Sequence, residues 1–223
     1  MIAVAIDGPA GAGKSTVARS AAKRLGFIYA DTGALYRAVG LYMLEHGVDT
    51  DCQEDIAAAV HDGGITVEIV FMEDCQHVLL CGRDVTEQIR TPAVSMAASK
   101  VSAVPAVRKL LFRLQRDLAE KNNVIMDGRD IGTVVLPEAQ VKVFLTASPE
   151  ERARRRCAEL CAKGMDADFG TVLREIRQRD EQDMERAVAP LKAADDAVIL
   201  DTSDLDFEAV VARLLAIIRE KTA

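Results

Sequence analysis

The residues Gly8-Pro9-Ala10-Gly11-Ala12-Gly13-Lys14-Ser15 satisfy the pattern G-x-x-x-x-G-K-[ST] at every position. They lie between an apolar run at 2–7 and an amphipathic stretch at 14–25, the strand–loop–helix setting in which this pattern cradles phosphate. Glycines let the loop curl so that successive backbone N–H groups face inward, and the helix start adds its positive dipole end. Lys14 can then reach the β- and γ-phosphates of a nucleoside triphosphate. Ser15 can offer its hydroxyl to Mg²⁺, and Thr16 a second hydroxyl contact. An accidental glycine-rich turn is the alternative, and the flanking strand and helix count against it. By itself the pattern specifies a nucleoside triphosphate and nothing about the acceptor.

An acceptor needs its own cations, and four arginine-bearing segments could supply them. In Asp31-Thr32-Gly33-Ala34-Leu35-Tyr36-Arg37, Thr32 stands where it could cap a helix and offer its hydroxyl to an anion. Arg37, about a turn further in, could point back at that anion; an ordinary cap with a solvated arginine is the alternative. Val124-Ile125-Met126-Asp127 is an apolar strand ending in a carboxylate, which suits the magnesium side of a P-loop site, with Asp127 holding a metal-bound water. Arg129 and Asp130 follow at the strand's C-terminal end, where ligands of open α/β sheets gather, though a plain turn would read the same. Arg179, Asp183 and Arg186 recur at i, i+4, i+7 and predict one helix face for ribose and phosphate, or else a solvated ion-pair ladder. Arg152 and Arg156 share a predicted face beside the glycine-bounded segment 164–170, where a lid over ATP could hinge; a solvated basic helix is the bland reading.

The elements that must position these residues alternate short apolar runs with longer amphipathic ones, the mark of parallel βαβ units. Strands are expected at 2–7, 27–30, 123–127, 140–145 and 196–200. Helices are expected at 14–25, 33–46, 92–121 (broken near Pro105), 149–163, 168–187 and 206–221. Residues 64–71 and 76–81 break the alternation and predict an antiparallel hairpin joined by Met72-Glu73-Asp74-Cys75, inside an insertion at about 48–90.

Composition narrows the function classes. The 223 residues suit one domain with insertions, and 49% apolar residues permit a sizeable core. A net charge of -7 argues against a nucleic-acid-coating surface. No run approaches the roughly 20 apolar residues that span a bilayer. Met1 leads straight into the first strand without a leader-like segment, so a cytoplasmic protein is expected. The five cysteines, an odd number, then read as free thiols; Cys157 and Cys161 lack nearby partners for a zinc site. The Asn-Lys-x-Asp sequence of GTPases is absent, and a motor or large ATPase would need a longer chain.

Taken together these strings resemble the bacterial cytidylate kinases of the nucleoside monophosphate kinase family. The similarity runs from Ile6-Asp7-Gly8-Pro9 through Asp31–Arg37, Ile89-Arg90-Thr91, Ala97-Ala98-Ser99-Lys100-Val101 and Asp127-Gly128-Arg129-Asp130-Ile131-Gly132-Thr133-Val134-Val135 to Arg186-Ala187-Val188-Ala189-Pro190-Leu191. The strings at 128–133 and 186–191 are far more specific than the P-loop. The resemblance implies a P-loop three-layer α/β fold with a five-stranded parallel sheet. It also implies an inserted NMP-binding lobe at about 32–98 that carries the small antiparallel sheet, and a lid at about 157–170. By the same resemblance Thr32, Arg37 and Arg129 hold the CMP phosphate, and Ser99, Arg108 and Asp130 read the cytosine edge. Arg179 and Asp183 hold the ribose, Arg186 sits near the phosphates, and Lys14, Arg129 and Arg186 act in catalysis. Relatives often carry Ser in place of Thr32, and either residue supplies a hydroxyl. The implied partners are ATP with Mg²⁺ and CMP or dCMP, with no nucleic acid or membrane and a monomeric chain. Two rivals stay open: a kinase for UMP or another small metabolite, and a non-enzymatic ATP-switched binding protein.

Overall fold

A computed structural model describes residues 1–72, 75–162 and 164–222. Five strands form a parallel sheet: β1 (Ala3–Asp7), β2 (Ile28–Asp31), β6 (Val124–Asp127), β7 (Val141–Thr146) and β8 (Val198–Asp201), in the order β2-β6-β1-β7-β8. The chain divides into two compact units, one comprising Ile28–Asn122 and the other Ile2–Phe27 with Asn123–Ala223.

In the second unit the central strands are apolar on both faces, as a parallel sheet covered by helices requires. Val4, Ala5, Ile6, Val124, Ile125 and Met126 are all fully buried. Ile6 registers with Asp127 on one side and Val143 on the other, so β1 and β6 end side by side. Helix α1 (Lys14–Leu25) starts on Gly13 at φ 87° and stops on Gly26 at φ 68°, the left-handed backbone that glycine takes without strain. Helices α6 (Pro149–Ala162) and α7 (Phe169–Glu185) close a small cluster of their own around Ala153, Val172 and Ile176. Helix α8 (Phe207–Thr222) ends the chain and buries Val211, Leu214 and Ile218. The expected helix at 149–163 ends on Lys163, which lies outside the described residues.

The first unit is built on a separate core of Leu35, Val39, Met43, Ile56, Val78, Leu80, Val101, Val107 and Leu111. Its helices are α2 (Thr32–Glu45), α3 (Gln53–His61), α4 (Pro92–Val101) and α5 (Pro105–Lys121). The break expected near Pro105 is present: each proline opens its helix at the first position, where its missing N–H costs nothing. Helices α2 and α4 approach closely at Gly40, where a side-chain carbon would stand 2.9 Å from the Ala98 amide nitrogen. The small sheet comprises β3 (Val67–Met72), β4 (Cys75–Leu80) and β5 (Arg83–Asp84), all antiparallel. Its hairpin pairs Met72 with Cys75; Glu73 and Asp74, read as part of the connection, lie outside the described residues. Among the described residues four elements are additions to the expected set: α3, the two-residue β5, a 3₁₀ turn at Gln88–Arg90, and a single π-turn at Ile131–Val135 in the other unit.

Candidate functional site

The P-loop follows β1, and its glycines are required by space as well as by backbone. A side-chain carbon on Gly8 would fall 1.9 Å from the Leu145 carbonyl oxygen, inside any permissible contact. Gly11 and Gly13 hold φ values of 75° and 87°. Lys14 is buried and folds over its own loop, its ammonium donating to the Pro9 carbonyl at 2.7 Å. Burial, reinforced by the nearby Arg129 charge, pulls its pKa down to about 7. Phosphate oxygens would supply the negative charge that this ammonium lacks. The Ser15 hydroxyl donates to the Asp127 carboxylate at 2.8 Å, bringing two oxygen ligands to one spot. That pair fits Mg²⁺, which takes one or two protein oxygens and completes its shell with water and phosphate. Thr16 is exposed at the helix start.

Around this loop the cations are held by carboxylates. Arg129 donates to Asp183 at 2.8 Å, and Arg186 reaches Asp130 at 3.4 Å. Arg179 belongs to the same electrostatic environment, lowering the Lys14 pKa along with Arg129. Asp7, a residue the motif reading left unused, is buried, and its oxygens accept from the backbone N–H groups of Ile131 and Gly132 at 2.7 and 2.8 Å. Its carboxylate thus fastens the π-turn that directly follows Arg129 and Asp130. Burial still dominates these two bonds and raises the Asp7 pKa to about 6.

Two expectations need correction, and a third needs refinement. Thr32 does not cap α2. It is the first helical residue, and Asp31 is the cap, accepting from the Ala34 N–H at 3.0 Å. Both residue types favour this role, and the carboxylate one position earlier takes it. Arg186 does not share a helix face with Arg179 and Asp183, because α7 ends at Glu185. The chain then turns through Ala189 at φ 50°, the Leu191 N–H returns to the Asp183 carbonyl at 2.7 Å, and the Arg186 Nε donates to the Ala189 carbonyl. Arg152 and Arg156 lie one turn apart on α6, as expected, but in different surroundings. Arg156 is exposed and pairs with Glu159. Arg152 is buried, gripping both oxygens of Asp180 while donating to the carbonyls of Ala147 and Ala10, the latter in the P-loop itself. Asp180 has no signal in the sequence beyond its place in a charged helix.

In the first unit Thr32 is buried at the start of α2, and Arg37 pairs with Asp31 at 2.7 Å. The Nε of Arg37 is buried without a hydrogen-bond partner, so part of its donor capacity is unused. Gly33 makes room for this pair, since a side-chain carbon there would stand 3.1 Å from both the Arg37 guanidinium and the Asp31 carboxylate. Arg108 is buried on α5, with its guanidinium 5.8 Å from the Tyr36 ring centre and donating to the Ser102 carbonyl at 3.3 Å. Ser99 is half-buried one turn before the end of α4. Arg108 thereby contacts the end of α4, which also suits a purely structural capping role.

The chain is similar to known proteins over nearly its whole length. The family model described as "Cytidylate kinase" matches residues 4–220. A cytidylate kinase of Carboxydothermus hydrogenoformans is 54% identical over 218 residues, spanning 98% of this chain and 97% of its own. One from Pelotomaculum thermopropionicum is 53% identical over 215 residues, spanning 96% and 94%. Among solved structures, an uncharacterized protein from Eubacterium ventriosum superposes with a TM-score of 0.53 at 13% identity, covering 98% of this chain and 99% of its own, a likeness of fold alone.

Proposed function

Because this chain belongs to the cytidylate kinase family, a family of phosphotransferases, we propose that it transfers the γ-phosphoryl group of ATP to the α-phosphate of CMP, and of dCMP, releasing CDP or dCDP and ADP in pyrimidine nucleotide metabolism. The observation that carries this reading is the set of cations beside the P-loop: the buried Lys14, folded onto the Pro9 carbonyl, and the partly buried Arg129 and Arg186, held by the buried carboxylates of Asp183 and Asp130. A protein that only sensed ATP would have no use for the arginines beyond the loop.

The acceptor phosphate oxygen is already anionic near neutral pH, so the reaction needs alignment and charge neutralisation rather than a base. Lys14 and the inward N–H groups of residues 8–16 bind the donor phosphates, and Arg152 braces the loop through Ala10. Arg156 completes the ATP contacts when the segment at 157–170 closes as a lid. Ser15 and Asp127 would hold Mg²⁺, which spreads the charge of the transferring group when bound. Thr32, Arg37 and Arg129 hold the CMP phosphate, Ser99, Arg108 and Asp130 the base, and Arg179 and Asp183 the ribose, with Arg186 on the phosphates. The lobe at 32–98 serves the acceptor. The enzyme acts as a monomer in the cytoplasm, and no helix among the described residues is long and apolar enough to cross a membrane.

An assay of ADP release with CMP, dCMP, UMP, AMP and shikimate tests the proposal. CMP and dCMP are expected to lead the series. A chain that hydrolyses ATP but phosphorylates neither cytidine nucleotide would refute it, and preference for UMP or shikimate would move the protein to another acceptor class.

A further inference from the structure

Gln76 sits on β4 of the small sheet, yet its side chain serves another strand. Its Oε1 accepts from the Asp31 N–H at 2.7 Å, and its Nε2 donates to the Asp31 carbonyl at 3.2 Å. One side-chain amide therefore takes both backbone groups of the last residue of β2, as a neighbouring strand would. Asp31 carries the next link. Its Oδ1 caps α2 at Ala34, and its Oδ2 holds the Arg37 guanidinium at 2.7 Å. With the Asp31 backbone fixed on one side and its carboxylate spent on the other, Arg37 has little freedom, and its unpartnered Nε stays in one place.

We propose that Gln76 is a positioning residue for the acceptor phosphate, through which the small inserted sheet sets the aim of Arg37 and Thr32 at the start of α2. The inference rests on the reading that these two residues hold the phosphate of CMP. The small sheet then supplies the rigid base from which Gln76 reaches Asp31. The β4 strand is well suited to this, since Val78 and Leu80 on the same strand are buried in the core shared with α2, while Gln76 is only partly covered. Losing the amide should therefore leave the fold intact and loosen only the Asp31–Arg37 link.

The test compares wild type, Gln76→Met and Arg83→Ala. Methionine keeps the bulk and removes both hydrogen bonds. Arg83→Ala breaks the Arg83–Glu45 ion pair of the same small sheet and so measures general loosening. Gln76→Met should raise the KM for CMP about five- to tenfold, with the KM for ATP and the Tm near wild type, as expected for one or two lost hydrogen bonds that act on alignment. Amide exchange at Asp31 and Ala34 should quicken in the same variant, and Arg83→Ala should change neither readout. An unchanged KM for CMP in Gln76→Met would overturn the inference. So would equal rises in both KM values matched by Arg83→Ala, which would assign Gln76 a merely structural part. Wild type that fails to phosphorylate CMP at all would instead remove the functional reading, a failure visible before any variant is made.

Discussion

The two units order their charged groups by different means. In the unit that carries the P-loop, arginines meet buried carboxylates across long stretches of sequence: the buried Arg152 with Asp180, and the partly buried Arg129 and Arg186 with Asp183 and Asp130. In the unit that carries Thr32 and Arg37, an apolar core sets the helices, and the polar residues are fixed by a helix cap that doubles as the Arg37 ion pair, a tyrosine ring and one side-chain amide. Charge held by opposite charge in a dry setting is strong, specific and costly to disturb. The P-loop unit thus ties its cations to carboxylates far along the chain, whereas the other unit seats Arg37 and Arg108 on helices set by an apolar core.

Removing the central cation should produce the largest effect on the P-loop side of that contrast. Lys14→Ala takes away the ammonium facing the moving phosphoryl group and should lower kcat by about 10³-fold or more with the fold retained. Near-native turnover in a variant with a normal Tm would show that the cradle's organisation does not depend on this charge. Next comes the brace: Asp180→Ala leaves the Arg152 guanidinium buried without its carboxylate and should cost about 3–4 kcal/mol of stability, measurable by urea unfolding. A loss below about 1 kcal/mol would place this pair with the weak surface bridges and blur the difference between the units.

The third expectation concerns pH. The Asp7 pKa is raised from the ordinary 3.8 to about 6 by burial, so the folded state holds this proton more tightly than the unfolded chain. Its contribution to stability is therefore fully present below pH 3.8 and is lost as pH rises through about 6, amounting to about 3 kcal/mol. Asp7→Asn should flatten the fall in unfolding free energy between pH 4 and 6 while leaving one of the Ile131 and Gly132 amides poorly paired. An identical slope in the variant would remove Asp7 as its source. The smallest effect belongs to the acceptor unit. Ser99→Ala combined with Arg108→Met should narrow the preference for CMP over UMP by roughly ten- to hundredfold in kcat/KM. If these residues only tie α5 to the end of α4, the Tm will fall and the preference will stay where it was.

How far the sequence can be read follows from which interactions are local. The sheet strands, the P-loop and the break at Pro105 are legible because periodicity, glycine and proline act on their immediate neighbours. Helix α3 is hidden, since its cap residue Cys52 gives no side-chain hydrogen bond to its start and only Ile56 is fully buried. Helix α7 stops two residues before its expected end because the bend at Ala189 relies on contacts with Asp183 and Arg186, which spacing alone does not reveal. The same holds for the site. Lys14 and Ser15 announce themselves, whereas Asp7, Asp180 and Gln76 gain their roles from partners that lie far along the chain: Ile131 and Gly132, Arg152, and Asp31. Helix period rightly puts Arg152 one turn from Arg156, but it does not reveal that Asp180 draws Arg152 into the interior.

The P-loop unit is discontinuous in sequence, and this shapes how the chain is made. Strand β1 registers with β6 from Ala3 to Val124 and with β7 from Val4 to Val141, so it leaves the ribosome with neither neighbour yet synthesised. The unit at Ile28–Asn122 is continuous and is synthesised before either of those partner strands. The P-loop strand must wait, apolar and unpaired, until that whole segment and two further strands have followed it. Pairing across such separations is slow, because a long loop must close before any contact rewards it. During translation the P-loop strand is therefore the late and vulnerable element, completed only after the continuous unit has been made.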